Sequence, residues 1–511
     1  MRHYALLFLL ISWFIQPAAA VPPTGFNVRD FGATGDSTTI DSPAINRAIA
    51  AAAKAGGGTV FFPAGKYLSY SIRLQSHISL YLDQGATLLA AAPVGETGYD
   101  APEPAANDKF QDFGHSHWHN SLIWGENLVD ISILGPGTIH GRGLTREGPH
   151  LAPVGNKAIA LKLCRNVVLK DFTILLGGHF ALLATGVDNF TIDNLKIDTN
   201  RDGLDIDCCR NVRVSNCTVN SPWDDAICLK SSFALGYARA TENVTITNCQ
   251  VSGYDRGTLL NGTYRRNEAA LVPDHEGPTG RIKFGTESNG GFKNIAISNC
   301  VFEYCRGLAL ETVDGGLLED VVISNITMRD VINSPIFLRL GARLRGPADT
   351  PAGALRRISI SNVNVYNADS RFATLIAGLP GHPIEDVRLS NISIWYKPLD
   401  ATSVKEVQAQ VPEYEKDYPE PQKFRVLPAY GFFIRHVANI ELTNVSVHLL
   451  GQEARPALML LDVQGASLRH VNAQKGGTAP LLVVKDVRDL TVRDSAPLED
   501  ANLKQVQSKS F

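Results

Sequence analysis

Long apolar runs are the first thing this sequence lacks. Beyond its first twenty residues, no stretch approaches the eighteen uninterrupted apolar residues that a membrane-crossing helix needs. There is no run or domain rich in Lys and Arg, and 48 basic residues stand against 51 acidic ones; that excludes the electrostatic footprint of a nucleic-acid binder. No Leu-x-x-Leu-x-Leu pattern recurs, which sets aside a leucine-rich-repeat horseshoe. Cysteine is sparse, eight in 511 residues. Neither a nucleic acid nor a membrane is therefore an expected partner.

The amino terminus, MRHYALLFLLISWFIQPAAAVPP, pairs a basic start at Arg2 with an eleven-residue apolar stretch, Ala5–Ile15. The small residues Ala18–Ala20 then offer a cleavage site. This is the pattern of a secretory leader over residues 1–20, so the chain is expected to be exported to the periplasm or the extracellular space. Removing Arg2 leaves 47 basic against 51 acidic residues.

What the sequence does contain is a repeat. The pattern Asn/Asp–apolar–x–apolar–x–Asn–x–x–apolar occurs in NVVLKDFTI from Asn166, NFTIDNLKI from Asn189, NVRVSNCTV from Asn211, NVTITNCQV from Asn243 and NIAISNCVF from Asn294. It continues to Val447 and beyond in weaker form. Alternating Val, Ile and Thr closed by Asn are strands ending at turns. A shortest period of 22–26 residues with short strands in each unit predicts an all-β fold, a right-handed parallel β-helix or solenoid. Asn216-Cys217, Asn248-Cys249 and Asn299-Cys300 share one register position, which predicts stacked Asn amides with Cys as a small buried hydrophobe.

Residues 21–92 form a capping segment and the first coils. Within them, DSPAINRAIAAAAKAGGG predicts a helix capped at Asp41 or Ser42, with Pro43 in its first turn and a Gly stop, covering the open end of the solenoid. Residues 93–500 form the β-helix, with inserted loops at 93–121, 254–278 and 398–430. His115, His117 and His119 alternate in the first of these loops, where lining a surface or groove is favoured over metal binding.

Setting the apolar pairs in register aligns Leu204/Ile206 with Ile227/Leu229, Ile282/Phe284, Leu308/Leu310 and Ile336/Leu338. Asp202 and Asp225 then fall one coil apart at one position, with Asp224 beside the stack and Asp205 and Asp207 pointing outward. Crowded carboxylates repel, and a merely structural segment gains little from that. Two close carboxylates with a third set slightly apart suit glycoside hydrolysis: Asp202 and Asp225 would hold a water, and Asp224, kept protonated by its neighbours, would act as the acid.

Asn200-Arg201-Asp202, Asp224-Asp225 in DDAICLKSS, and the capping stretches NVRDFGATGD and GGTVFFPAGKY resemble glycoside hydrolase family 28, the polygalacturonases. The resemblance runs from about Phe26 to Val447 and implies an inverting hydrolase of pectic carbohydrate that acts as a monomer without cofactor or metal. Two family elements differ. Thr279-Gly280 stands where the family has a histidine, and Ala309-Leu310-Glu311 stands where the family has the Arg-Ile-Lys that holds the substrate carboxylate. Lys230, Arg281, Lys283, Glu287 and Glu311 are the candidate substrate-binding residues. Either Arg281 and Lys283 bind a substrate carboxylate in a shifted subsite, or the sugar is neutral and they compensate the charge of Asp225 and Asp207. The 398–430 insertion offers Tyr414, Tyr418 and Tyr430 for stacking on sugar and would close one end of a groove, as an exo-acting enzyme requires. Two alternatives stand beside this reading. One is a polysaccharide lyase with Ca²⁺ on Asp202, Asp205 and Asp225 and Arg281 as base; the other is a non-catalytic glycan-binding solenoid.

Overall fold

The computed structural model describes residues 25–104, 106–112, 114–145, 151–267 and 277–511. The expected leader, residues 1–20, and part of the 254–278 insertion lie outside the described residues. From Gly58 onward the chain winds as a right-handed parallel β-helix. The registers deduced from the apolar pairs are those observed: Leu204 lies against Ile227, Ile227 against Ile282, Phe284 against Leu310, and Leu308 against Ile336. Inward residues of every coil merge into one continuous apolar core. Each fully buried Ile, Leu, Val or Phe there contributes about 1.5–3 kcal/mol of transfer free energy.

The helix Ser42–Lys54 covers the open end and buries Ile45, Ala48, Ile49 and Ala52. Asp41 precedes it without capping it; its carboxylate accepts instead from the backbone N–H groups of Thr34 and Gly35, tying down the preceding loop. The opposite end is closed by Ala501–Ser510, which pairs antiparallel with Leu482–Arg493. No repeat signal marked that strand, because its burial is one-sided and slight.

Both polar positions of the repeat have a specific backbone task. Asn189 and Asn194, Asn211 and Asn216, and Asn243 and Asn248 all adopt positive φ, between 52° and 58°. These left-handed residues make the bends between strands, and Asn tolerates that region better than other residues with a side chain. Their amides then bond from coil to coil, Asn189 to Asn166 at 2.9 Å and Asn362 to Asn325 at 3.0 Å. All eight cysteines are buried thiols, and none forms a disulfide.

Replacing Asn362 separates these two tasks. Asn362→Gly keeps the positive φ of 55° but loses the ladder bonds, at a cost of about 1 kcal/mol. Asn362→Val adds the left-handed penalty of about 1–2 kcal/mol. Denaturant midpoints should therefore fall in the order wild type, Gly, Val, and a Val variant as stable as the Gly variant would contradict this assignment.

Candidate active site

Four adjacent strands, Asp202–Asp207, Ile227–Ser231, Ile282–Ser288 and Leu308–Thr312, form a charged floor on the outer face of the solenoid. Apolar clusters bracket it. On one side Trp118 from the 93–121 insertion packs with Ala160, Phe180 and Leu183. On the other, Phe424 and Leu427 from the 398–430 insertion cover Ala309, Phe337, Leu375 and Phe433. Arg339 and Arg435 fasten that second insertion by donating to the carbonyls of Glu413, Tyr414, Val411 and Pro412. The two insertions thus flank the floor on either side.

Asp202, Asp224 and Asp225 bring carboxylate oxygens within 4.8 Å of one another. Alternation from Leu204 alone would turn Asp202 into the core. Gly203 prevents this: a Cβ there would lie 2.5 Å from Val219 Cγ1 and 2.4 Å from the Ala226 carbonyl, so residues 203 and 204 both face inward and Asp202 emerges on the outer face. One coil later the Asp225 position is occupied by Gly280, at φ 51° and with no room for a Cβ against the Ser252 carbonyl.

The three carboxyls sit in three different environments. Asp225 has both oxygens engaged, Oδ1 by Arg281 Nε at 2.9 Å and Oδ2 by Lys283 Nζ at 3.3 Å. Burial opposes its ionisation, but the charges of Lys283, Arg281 and Lys230 prevail and hold its pKa well below the usual range. Asp202 lacks such partners; burial, then the charges of Asp205 and Asp224, raise its pKa well above normal, and its Oδ1 has no hydrogen-bond partner. Asp224 is the most open of the three, with its side chain 21 % exposed, and accepts from Arg201 Nε at 3.1 Å. The crowding expected to keep Asp224 protonated thus acts on Asp202.

Several expected site residues brace the floor instead of lining the cavity. Arg281 and Lys283 are buried and paired with Asp225, Glu311 and Glu420; they compensate charge. Asp207 takes no part in that compensation, because it is buried and accepts from the backbone N–H and hydroxyl of Ser232, fixing the next turn. Glu287 is fully buried between Lys230, at 3.3 Å, and Arg345, and does not reach the surface as a substrate-binding group, while the Lys230 side chain stays 8 % exposed. Asp205 meets His115 Nε2 at 3.2 Å and Lys230 at 3.7 Å. The acidic set able to share a cation is therefore Asp202, Asp224 and Asp225, without Asp205, and Arg281 and Lys283 already supply positive charge to it. The three loop histidines diverge: His115 lines the floor, His117 meets Asp108, and His119 stacks on Trp124 beside Glu126.

Of the three insertion tyrosines, Tyr430 is core, packed edge-on against Tyr396, and Tyr414 packs edge-on against Phe424. Tyr418 alone presents an exposed ring, 37 % accessible, with its hydroxyl accepting from Lys283 Nζ at 3.3 Å. Glu420 and Arg306, both deep in the charge network, went unnoticed in the sequence because neither belongs to the repeat pattern.

Glu311 is fully buried, with neither oxygen hydrogen-bonded; Lys283 and Arg281 stand off at 3.6 and 3.8 Å. Burial, only partly offset by those cations, pushes its pKa to about 8. A carboxyl raised on folding stabilises fully below its unfolded pKa, and that contribution is lost as pH rises through the folded value. Wild-type melting temperature should therefore carry a Glu311-dependent decline between about pH 4.5 and 8. Glu311→Gln should remove that decline, and parallel pH–stability curves for the two proteins would refute it.

Comparison with known proteins adds to this geometry. A family model described as "Rhamnogalacturonase A/epimerase, pectate lyase-like" matches residues 25–111, and one for a right-handed beta helix region matches residues 150–272. A probable polygalacturonase of Vitis vinifera is 28 % identical over 370 residues, 66 % of this chain and 74 % of its own. A polygalacturonase of Chamaecyparis obtusa is 22 % identical, over 73 % of this chain and 67 % of its own. Mannuronan C5-epimerase AlgE1 of Azotobacter vinelandii is 47 % identical, but over only 75 residues, 15 % of this chain and 5 % of its own. Among solved structures, the family 28 exopolygalacturonase of Yersinia enterocolitica superposes with TM-score 0.62 at 19 % identity, covering 87 % of this chain and 78 % of its own. A hyperthermoactive exopolygalacturonase from Thermotoga maritima superposes with TM-score 0.53 at 16 % identity, covering 95 % and 94 %. At those identities the structural likeness establishes the fold.

Proposed function

Because the chain is polygalacturonase-like, similar to glycoside hydrolase family 28, we propose that it is an exported hydrolase that removes residues from the end of a pectic chain by a single displacement. The observation carrying this reading is the convergence of Asp202, Asp224 and Asp225, three carboxyls held in three different electrostatic states. Separating the pKa values of neighbouring acids is how a site obtains an acid and a base at one pH.

Asp225 is the base. Held ionised by Arg281 and Lys283, it takes a proton from water as the water oxygen attacks the anomeric carbon. Asp224, the most open of the three, gives its proton to the leaving glycosidic oxygen as that bond breaks. Asp202 and Asp225 together orient the water. The closest oxygens, within 4.8 Å, are nearer than the roughly 6.5–9.5 Å common when acid and base flank a water. Inversion is what the resemblance to family 28 implies, and the configuration of the first-formed product decides it. Walls from the 93–121 and 398–430 insertions support exo action, and the Tyr418 ring offers a face for the terminal sugar.

The test is reducing-sugar release from a panel of pectic polymers and their oligosaccharides. Asp224→Asn and Asp225→Asn should each lower turnover by about 10²–10⁴-fold while leaving glycan affinity measurable. The first-formed product should have the opposite anomeric configuration by NMR, and chelator should have no effect. Retained configuration would reject the single displacement, and an unsaturated, chelator-sensitive product would establish the lyase instead. No release from any substrate would leave a glycan-binding solenoid.

A further inference from the structure

We propose that Glu420 plugs the anion socket of this site with its own carboxylate, so that the subsite beside Asp225 accepts a neutral sugar and rejects a uronate. The inference deepens the hydrolase reading by naming the substrate class of the same pocket, and rests on that reading only for the pocket's role.

Arg281, Lys283 and Arg306 come from two neighbouring coils and are at most 2 % exposed. Three buried cations at one end of a sugar pocket form the arrangement that would grip a carboxylate. Here the position is taken. Glu420 accepts from Arg281 through both oxygens and from Arg306 Nη1 at 3.0 Å, with Lys283 Nζ at 4.0 Å. Arg281 Nε and Lys283 Nζ also meet Asp225, at 2.9 and 3.3 Å. The Glu420 side chain is 10 % exposed, against 2 %, 2 % and 0 % for Arg281, Lys283 and Arg306, so it is the outermost member of the group. Its backbone is held extended at φ −119° and ψ 141° between Pro419 and Pro421, which limits how far the plug can swing away.

The same stretch carries Tyr418, a partly exposed residue whose ring has Lys283 and Arg343 at 5.3 and 5.9 Å from its centroid and whose remaining surface suits the apolar face of a sugar. A substrate carboxylate brought to this position would face the Glu420 anion, with the Arg281 donors and Arg306 Nη1 already engaged. Like charge and a filled site together select against it. A docking contact alone would also tie Glu420 to Arg281 and Arg306, but it would not control which sugar binds.

Titration calorimetry with D-galacturonate and with D-galactose, which differ only in the carboxylate, separates these roles. Glu420→Ala should tighten galacturonate binding by ~10-fold or more over wild type, the yield of one or two charge-assisted hydrogen bonds, with the gain shrinking as salt rises. Galactose affinity should show no such gain. If the variant melts early from leaving Arg306 unpaired, acetate should restore its melting temperature where equal chloride does not. Wild type binding galacturonate as tightly as the variant, or a variant that responds neither to galacturonate nor to acetate, would overturn the proposal. These readouts need no turnover, so an inactive wild type would sink the hydrolase reading and leave this one standing.

Discussion

Everything in this molecule depends on parallel strands stacked in register, one coil about 4.8 Å above the last. Stacking turns positions along the chain into columns across the surface. Asp202 and Asp225 meet because one column contains both, although 22 residues separate them. The spacing is short enough that a column of like charges cannot form without compensation. The structure answers with cations in the next coils, Arg281 and Lys283, and with a third, Arg306, beyond them.

That compensation shapes the chemistry. One carboxyl is fixed as an anion, a second is pushed toward its protonated form by burial and by the charges of Asp205 and Asp224, and the third is the most open. The same network absorbs Arg281 and Lys283, two of the three expected substrate-binding cations, into the floor, so electrostatic order is maintained by groups that barely touch solvent. Buried charge pairs of this kind are a poor source of stability but strongly resist losing a single member. The network therefore holds its geometry while the loops above it supply the shape of the pocket.

The sequence made the coil register legible because apolar pairs and Asn bends recur together; every alignment from Leu204 to Leu338 is present in the structure. The three aspartates were visible for the same reason. What stayed hidden was whatever breaks periodicity. Gly203 shifts one residue of alternation, which a pattern of period two cannot register. Glu420 lies in an insertion with no repeat to place it, and Tyr430 reads like a sugar platform until the core is seen to claim it. Asp207 and Glu287 looked outward by parity, yet loops roof them over. Outward in a solenoid means exposed only where no insertion lands.

Arg339 and Arg435 grip the second insertion by its backbone carbonyls, not its side chains. A clamp that reads main chain is indifferent to most of the residues it holds. Away from Tyr414, Tyr418, Glu420, Phe424, Leu427 and Tyr430, whose side chains are engaged, the segment is thus open to mutation at little energetic cost. The solenoid can serve as a permanent chassis on which this loop is rewritten, and new substrate preferences can arise without disturbing a single coil.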